Sequence, residues 1–290
     1  MQIQKSYENK EQGTLYVVPT PIGNLEDITF RAIHTLKKVD LIAAEDTRHT
    51  KKLLTHFEIK NQLVSYHEHN KIERANQIME RLLNGKEIAI VSDAGMPAIS
   101  DPGFDLVREA IDREINVVVL PGANAALCAL VGSGLSTSEF LFHGFLPRKK
   151  QEKEAELTRL KGLTATLIFY ESPYRLKDTL RMISKRLGNR QIVIAREITK
   201  IYEQIIRGNV EEVLDWMEKD VVKGECCIIV EGNKEEEETD TLWWASLTIP
   251  EHVLHYEQQD HLSHKEAMKQ VAIDRSMTKR DIYRQIHVKK

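Results

Sequence analysis

The sequence predicts an α/β protein of two successive α/β domains followed by a small helical module. Its 290 residues suit about two domains, each long enough to bury a sizeable core. Short apolar, β-branched runs alternate with amphipathic helical patterns through most of the chain, whereas its last part carries helical patterns alone. We therefore expect an N-terminal tail at 1–12, domains at 13–122 and 123–232, an acidic linker at 233–241 and a helical module at 242–290.

The first domain is predicted to hold one parallel sheet. Strand patterns occur at 14–18, 39–44, 63–65, 87–91 and 116–120. Helical patterns lie between them at 28–36, 50–57, 72–83 and 104–111. Because a strand, a crossing helix and a further strand bring the chain back in the same direction, the alternation favours parallel pairing.

The second domain repeats the alternation. A helix of small residues is predicted over 123–130, and further helices at 149–160, 174–187 and 210–217. Strands are predicted at about 139–145, 166–170, 191–195, 202–208 and 225–231. The run EEEE that follows predicts a solvated linker, because like charges repel and resist packing.

The C-terminal part is predicted to be helical from its capping signals. Pro250 suits a first helical position, Ser263 with Glu266 forms a capping box, and Thr278 with Asp281 starts a last helix. The last two helices have a helix-turn-helix spacing. Residues 243–290 carry eight Lys and Arg against six Asp and Glu, so the module is mildly basic.

Composition narrows the class of protein. With 29% charged and 41% hydrophobic residues, the chain is predicted to be soluble and globular, and no apolar run reaches membrane-spanning length. The N-terminus is polar, which predicts a loose tail and not a signal peptide, so we expect a cytoplasmic protein. Cys226 and Cys227 are adjacent and would point to opposite faces of a strand, which excludes a disulfide between them, and the three cysteines form no CxxC pattern. A net charge of −3 predicts no global basic field.

The loop VSDAGMPAISDPG, residues 91–103, is the main candidate for a ligand-binding site. It follows the strand at 87–91, so Asp93 is placed at the carboxyl end of a strand, where open parallel sheets bind small molecules. Its glycines and prolines predict a fixed loop that a ligand can approach closely, although a turn packed only for stability has the same composition. The chain contains neither GxGxxG nor GxxxxGK[ST], which argues against a dinucleotide fold and a P-loop.

An ordered set of motifs resembles one family. The motifs are VVPTPIGNLED, AAEDTR, VSYHEHN, VSDAGMPAISDPG, PGANAAL, FHGFLPRK, IFYESPYRL, REITKIYEQIIRG and KGECCIIVEG. Over about 13–232 the chain resembles the tetrapyrrole methylase-like (class III) S-adenosylmethionine methyltransferases, which implies two α/β domains with a cofactor cleft between them. It is most similar to the branch that methylates the ribose 2′-hydroxyl of a cytidine in the decoding region of 16S rRNA, in the small ribosomal subunit. The resemblance also implies a homodimer. We expect no bound metal, because the sequence contains no cluster of ligands with metal-binding spacing.

The resemblance implies the positions that contact S-adenosylmethionine. This cofactor carries no phosphate, which agrees with the missing P-loop. The implied positions are strand ends and helix starts, where backbone N–H and C=O groups are available. They are Ile22, Gly23, Ser92, Asp93, Ala94, Gly95, Met96, Asn124, Ala125, Glu171 and Ile198.

Methyl transfer to a ribose hydroxyl needs alignment and removal of a proton, for which a carboxylate, a neutral histidine or a nearby cation would serve. Polar residues in the family-like motifs supply the catalytic candidates. They are Asp46, Arg48, His67, Glu68 and Asp101, although a surface ion pair explains Asp46 and Arg48 almost as well.

Three further features of the motifs bear on substrate and metal. Arg148, Lys149 and Lys150 form a local basic patch suited to binding RNA. Tyr174 and Tyr202 stand where the family usually has histidines, so neither position supplies an obligatory histidine base. The pair His67 and His69 is compatible with metal binding, but metal sites normally need three or four ligands.

Two other functions stay open at this point. One is methylation of a tetrapyrrole or another small molecule, because one scaffold hosts many substrates. The other is a catalytically silent rRNA-binding assembly factor that uses the basic tail. The motifs HGFLPRK and YESPYR favour RNA over a small molecule, and the intact PTPIGN and SDAGMP loops favour an enzyme.

Overall fold

The structure is a computed structural model that describes residues 1–6, 11–220, 222–234, 244, 247–275 and 277–287. It separates into two compact units, Met1–Asn233 and Lys234–Lys290. The first unit is built from two sheets with helices, and the second is helical in its described part. The predicted fold class is confirmed.

The first sheet is parallel throughout, with the order β3-β2-β4-β1-β5. Its strands are β1 (Thr14–Val17), β2 (Leu41–Ala44), β3 (Leu63–Ser65), β4 (Ile88–Val91) and β5 (Asn116–Val119). The helices are α1 (Phe30–Lys38), α2 (Thr47–His56), α3 (Lys71–Leu83) and α4 (Phe104–Asp112). Every residue of β2 and β4 is buried, as expected for central strands covered on both faces. The carboxyl ends of all five strands therefore meet at one edge of this sheet.

The second sheet is mixed, with the order β6-β7-β10-β8-β9. Its strands are β6 (Phe140–Phe145), β7 (Thr166–Glu171), β8 (Gln191–Arg196), β9 (Gln204–Asn209) and β10 (Cys226–Val230). The helices are α5 (Ala125–Ser133), α6 (Lys150–Leu160), α7 (Pro173–Leu187) and α8 (Val210–Trp216). Strand β10 runs antiparallel to both of its neighbours, so its first residue, Cys226, pairs with Glu171 and Arg196, which end β7 and β8. The start of β10 and the ends of β7 and β8 thus share an edge.

Helix α5 belongs to the second sheet. Ala126, Ala129 and Leu130 pack in one buried cluster with residues of β7, β8 and β10. The small residues of α5 allow the helix to lie close to the strands, which brings its N-terminal residue to the edge where these strands expose their loops.

The N-terminal tail is tied to the first sheet through Gln4. The side-chain amide of Gln4 donates to the carbonyl of Val117 (2.8 Å) and accepts from its N–H (2.9 Å). Val117 lies in the edge strand β5, so Gln4 satisfies backbone groups that an edge strand leaves unpaired. The loose tail expected from the sequence is therefore anchored over its first residues, while 7–10 lie outside the described residues.

The C-terminal unit contains α9 (Ile249–Gln259), α10 (His264–Asp274) and α11 (Lys279–His287) in its described part. Its core includes Ile249, Val253, Ala267, Val271 and Ile282. The predicted capping box is present: the N–H of Ser263 donates to the Glu266 carboxylate (3.1 Å). The predicted linker at 233–241 lies outside the described residues except for its first two. No helix among the described residues is long and apolar enough to cross a bilayer.

A buried histidine lies at the centre of this unit. The ring of His252 stacks between Trp244 and Tyr256, with centroid distances of 5.2 Å to each. Its Nδ1 accepts a hydrogen bond from Arg275 Nε (3.2 Å), and its Nε2 lies 3.3 Å from a carboxylate oxygen of Asp274. Acceptance at Nδ1 requires this nitrogen to be unprotonated. Burial, and then the positive charge of Arg275, lower the pKa of His252 below its ordinary value of 6.5.

We expect the helical unit to lose stability as the pH falls below about 6.5, because the unfolded histidine takes up a proton that the folded one resists. The stabilising contribution is complete above the unfolded pKa and disappears as pH falls towards the depressed folded pKa. Hydrogen exchange of α9 and α10 in the full-length protein, corrected for intrinsic rates, measures this. His252→Gln, which cannot be protonated, should show a flatter pH dependence; an equally steep one would contradict the assignment.

Candidate functional site

A cavity of about 320 Å³ lies between the carboxyl edge of the first sheet and the shared edge of β7, β8 and β10. Most of the predicted cofactor positions line it. They are Ile22, Asp93, Ala94, Gly95, Met96, Asn124, Ala125, Glu171 and Ile198. The cavity therefore joins loops from both halves of the first unit, which lie far apart in the sequence.

Two predicted positions, Gly23 and Ser92, are not among the lining residues in the described part of the chain. Gly23 lies beneath the side chain of Lys200, since a Cβ at Gly23 would fall 2.4 Å from Lys200 Cγ. Ser92 is 2% exposed, and its carbonyl accepts a hydrogen bond from the Thr20 hydroxyl (3.1 Å). Ser92 is thus buried behind a loop that lines the cavity, whereas Gly23 is exposed and contacts the lining residue Lys200.

Two loops of the first domain are pinned to each other through their backbones. The N–H of Thr20 donates to the carbonyl of Gly95, and the N–H of Gly95 donates to the carbonyl of Thr20, both at 3.0 Å. Gly95 has φ +79°, and a Cβ there would approach Ile22 Cγ2 to 3.2 Å. A side chain at this position would therefore strain the backbone and press on the lining of the cavity.

The cavity wall is strongly acidic. The lining residues with carboxylates are Glu45, Asp93, Asp101, Glu171, Glu197 and Glu225, and among the described lining residues the cation is Lys200. Burial, followed by the neighbouring Glu45 and Asp93 carboxylates, raises the pKa of Asp101 to about 7. Burial and the Asp93 carboxylate also raise the pKa of Glu45. At neutral pH Asp101 is thus divided between its acid and base forms, which suits a group that exchanges protons.

Asp46 and Arg48 form an exposed ion pair. Asp46 caps α2 by accepting from the N–H of Arg48 (2.8 Å), and its carboxylate also binds the Arg48 guanidinium (2.8 Å). The side-chain hydrogen bond from Arg48 lowers the pKa of Asp46 to about 2. The N–H of Asp46 donates to the Asp93 carboxylate (3.0 Å), so this turn positions a residue of the cavity wall.

His67 and Glu68 also lie outside the described lining of the cavity. Glu68 pairs with Lys71 on the surface (2.8 Å). His67 lies close enough to Glu45 to act on its charge, and its ring is 6.0 Å from that of His69. Of the five catalytic candidates, the structure brings Asp101 alone into the described lining.

The carboxylate of Glu171 is held within the second domain. One oxygen accepts from the Ser172 N–H (2.9 Å) and lies 3.3 Å from Arg175 Nε. The other accepts from the Thr179 hydroxyl (2.7 Å), which in turn accepts from Lys153 Nζ (2.8 Å). Because Glu171 is 1% exposed and both oxygens are engaged, it supports the wall and offers a ligand little of its carboxylate.

Several lining residues were not predicted from the sequence. They include Glu45, Ile99, Ser100, Phe145, Tyr170, Ala195, Glu197, Lys200, Glu225, Cys226 and Cys227. Glu45 carried a signal, since it directly follows a strand. Burial raises the pKa of Cys226, Cys227 and Tyr170 to about 12, so these groups stay protonated at neutral pH.

The predicted basic patch lies at the start of α6, outside the described lining. Arg148, Lys149 and Lys150 are exposed, and Lys149 pairs with Glu152 on the surface (2.9 Å). Tyr174 and Tyr202 are 95% and 72% exposed, and neither is among the lining residues described. Within the described residues, no group of three or more His, Cys, Asp or Glu is arranged to hold a metal ion.

A family model, two sequence relatives and a solved structure are similar to this chain over most of its length. A family model described as tetrapyrrole (corrin/porphyrin) methylases matches residues 14–214. The chain is 56% identical to "Ribosomal RNA small subunit methyltransferase I" of Halalkalibacterium halodurans over 288 residues, 99% of both chains. It is 54% identical to the protein of the same name in Bacillus subtilis, over 99% of this chain and 98% of the relative. Among solved structures, a diphthine synthase has a TM-score of 0.59 at 14% identity, covering 76% of this chain and 90% of its own.

Proposed function

The chain belongs to the tetrapyrrole methylase family, and from that premise we propose that it is an S-adenosylmethionine-dependent methyltransferase of small-subunit ribosomal RNA. The observation that carries the proposal is the likeness, over nearly the whole of both chains, to relatives named ribosomal RNA small subunit methyltransferase I. We further propose that the acceptor is the ribose 2′-hydroxyl of a cytidine in the decoding region of 16S rRNA. This finer assignment rests on the ordered sequence motifs.

The chemistry of the cavity fits S-adenosylmethionine. Its acidic wall complements the positive charges of a sulfonium and an amino group, whereas it would repel a cofactor that carries phosphates. The positive φ of Gly95 and its close approach to Ile22 leave no room for a side chain, so the backbone itself forms this part of the cavity wall. Residues 93–96, with Asn124 and Ala125, would hold the cofactor, which when bound supplies a methyl group on a positively charged sulfur.

Asp101 is the proposed general base. It lines the same cavity as the proposed cofactor residues, and burial places its pKa at about 7. In its ionised form Asp101 would accept the proton of the ribose hydroxyl as the oxygen bonds to the methyl carbon and the bond from that carbon to sulfur breaks, with S-adenosylhomocysteine as the leaving group. Glu45 and Asp93 contribute by raising the proton affinity of Asp101. Arg48 pairs with Asp46 on the surface, so we assign that pair to holding the loop that positions Asp93.

Gly95→Val is expected to weaken S-adenosylmethionine binding by at least about 100-fold. A β-branched side chain at φ +79° is strained, and its Cβ would push Ile22 towards the space that the cofactor needs. Isothermal titration calorimetry measures the affinity. Gly134→Val is a matched control, because Gly134 has the same φ of +79° with no atom within 4 Å of its added Cβ. Equal affinities for the parent and Gly95→Val would contradict the placement of the cofactor.

The RNA is proposed to bind through Arg148, Lys149 and Lys150 beside an otherwise acidic cavity. The net charge of −3 gives little general attraction to RNA, so we propose that the assembled small subunit, and not a short naked RNA, is the preferred substrate. We also propose a homodimer. Leu127 and Val131, four residues apart on one face of α5, are 49% and 75% exposed, which suits an apolar contact between two copies.

Methyl incorporation into purified small subunits from cells that lack this gene tests the proposed function. Nucleoside mass spectrometry of the product should show one additional ribose-methylated cytidine. Methylation of a base, or of a tetrapyrrole in place of the RNA, would overturn the proposal. Either result would assign the protein a different methyltransferase activity on the same fold. Binding to subunits without any methyl transfer would favour a non-catalytic assembly factor.

A further inference from the structure

The aromatic ring of Phe145 is exposed in the wall of the cavity. Phe145 is the last residue of β6, it lines the cavity, and it is 53% exposed. Exposure of a single apolar side chain is common, but this ring also lines a polar cavity, where its flat face offers a ligand a surface to stack on.

The ring is braced from one side. Its centroid lies 5.7 Å from that of Tyr170 at an interplanar angle of 64°, and Tyr170 in turn contacts Phe142 at 5.0 Å and 70°. The edge-to-face contact with Tyr170 restrains the Phe145 ring, and Phe145 remains 53% exposed. A ring that is restrained beforehand loses less entropy when a planar group stacks on it.

The backbone that follows Phe145 is fixed to the same wall. The guanidinium of Arg175 donates to the carbonyls of Leu146 (2.9 Å) and Pro147 (3.3 Å). The same guanidinium lies 3.3 Å from the buried carboxylate of Glu171. Arg175 thereby holds the segment between Phe145 and Arg148 in a defined position relative to the cavity.

The residues beyond this clamp are cationic. Arg148, Lys149 and Lys150 are all exposed. They form a run of three positive side chains that starts three residues after Phe145. An aromatic ring next to a row of cations matches a nucleotide strand, whose bases stack and whose phosphates are negative. It does not match S-adenosylmethionine, which has an aromatic base but no phosphate.

We propose that Phe145 stacks against the base of the acceptor nucleotide while Arg148, Lys149 and Lys150 contact the adjacent phosphates. This inference deepens the proposed function and rests on RNA being the substrate. A base stacked on Phe145 would place its ribose at the mouth of the cavity that Asp101 also lines. The ring selects for a nucleobase that has left its helix, since a paired base cannot present its face to a side chain.

Variants of Phe145 test the proposal through binding and turnover. Phe145→Ala and Phe145→Leu should weaken binding to small subunits by about 10- to 100-fold, the contribution of one stacked base. Phe145→Tyr should restore most of what Phe145→Leu loses, because it keeps a planar ring. Cosedimentation with small subunits, in the presence of S-adenosylhomocysteine, gives the affinity, and calorimetry gives the affinity for S-adenosylmethionine, which should not change.

Phe140→Ala is the matched control. Phe140 begins the same strand, is 45% exposed, and is not among the cavity-lining residues described, so its loss should leave subunit binding at the parental level. Parental binding by Phe145→Leu would overturn the proposal, because a leucine offers no ring to stack on. Weakened S-adenosylmethionine binding in step with subunit binding would also overturn it by assigning the ring to the cofactor.

The same experiment separates this inference from the proposed function. If the parent protein binds subunits but transfers no methyl group, the proposed function fails. Binding that still depends on the ring of Phe145 would then support the stacking surface on its own. If the parent does not bind subunits, or all variants bind equally, the stacking surface is refuted.

Discussion

Replacing Asp101 by asparagine is expected to lower kcat by about 10²- to 10⁴-fold, the usual contribution of a general base. Asparagine keeps the size and polarity of the side chain but cannot accept the hydroxyl proton. In the parent protein, kcat/KM should fall as the pH drops below about 7, because protonated Asp101 is inactive and its pKa in the free protein is raised to about 7. Methyl transfer to small subunits, measured from pH 5.5 to 8.5 at limiting and at saturating substrate concentrations, gives both kcat/KM and kcat.

Two controls separate a catalytic loss from a folding defect. Because the folded pKa of Asp101 lies above its ordinary value of 3.8, ionised Asp101 destabilises the fold at neutral pH. Asp101→Asn should therefore have an unfolding temperature at pH 7.5 no lower than that of the parent. Its affinity for S-adenosylmethionine should stay close to the parental value. A kcat within threefold of the parent, or an unchanged pH profile in the variant, would remove Asp101 from the reaction.

The positions of the loops in the first domain could be predicted from the sequence, because the alternation of strands and helices determines the direction of each strand. Each strand is followed by a helix, so the sheet is parallel and all carboxyl ends meet at one edge. The composition of the loop at 92–103 then predicted a close backbone approach to a ligand, and in the structure Asp93 and Gly95 line a cavity. Sequence patterns work well where a local rule and the global topology agree.

The contribution of β10 to the lining of the cavity could not be predicted in the same way. The run CCIIV indicates a buried strand, but an apolar run carries no information about its direction. The antiparallel pairing of Cys226 with Glu171 and Arg196 turns the first residues of β10 towards the cavity. Glu225 therefore lines the site, although it precedes its strand and was not among the candidates.

Side-chain direction also limited the prediction of catalytic residues. Glu45 and Asp46 are neighbours after β2, and their positions in the sequence do not show which of the two faces a ligand. In the structure Glu45 faces the cavity, whereas the Asp46 carboxylate turns back to cap α2 and bind Arg48. A capping interaction is satisfied locally, so a polar residue at a strand end can serve the next helix and not the ligand.

The distribution of charge suggests how RNA would approach the site. Phosphates are repelled by the carboxylates of the wall and attracted by Arg148, Lys149 and Lys150 outside it. A nucleotide would therefore enter with its ribose and base towards the cavity and its phosphates towards the basic patch. This orientation would place a ribose hydroxyl near Asp101, so a change in the sugar of the target nucleotide tests the proposal most directly.

A small subunit with 2′-deoxycytidine at the target position is expected to accept no methyl group, because the atom that attacks is missing. The effect should be complete and not merely a reduction. Deoxy substitution at either flanking nucleotide should lower binding alone, since a flanking hydroxyl contributes contacts and no chemistry. The measurement is methyl incorporation into subunits reconstituted with site-specifically substituted rRNA.

The affinity of the protein for the target-deoxy subunit shows why that subunit accepts no methyl group. We expect it to bind nearly as well as the native subunit, because the stacked base and the phosphates are unchanged. It should therefore act as a competitive inhibitor of the native subunit. Methyl incorporation into the target-deoxy subunit would refute ribose methylation and point to a base atom as the acceptor. Inertness accompanied by lost binding would instead assign the 2′-hydroxyl to recognition and leave the acceptor atom to be located by mass spectrometry.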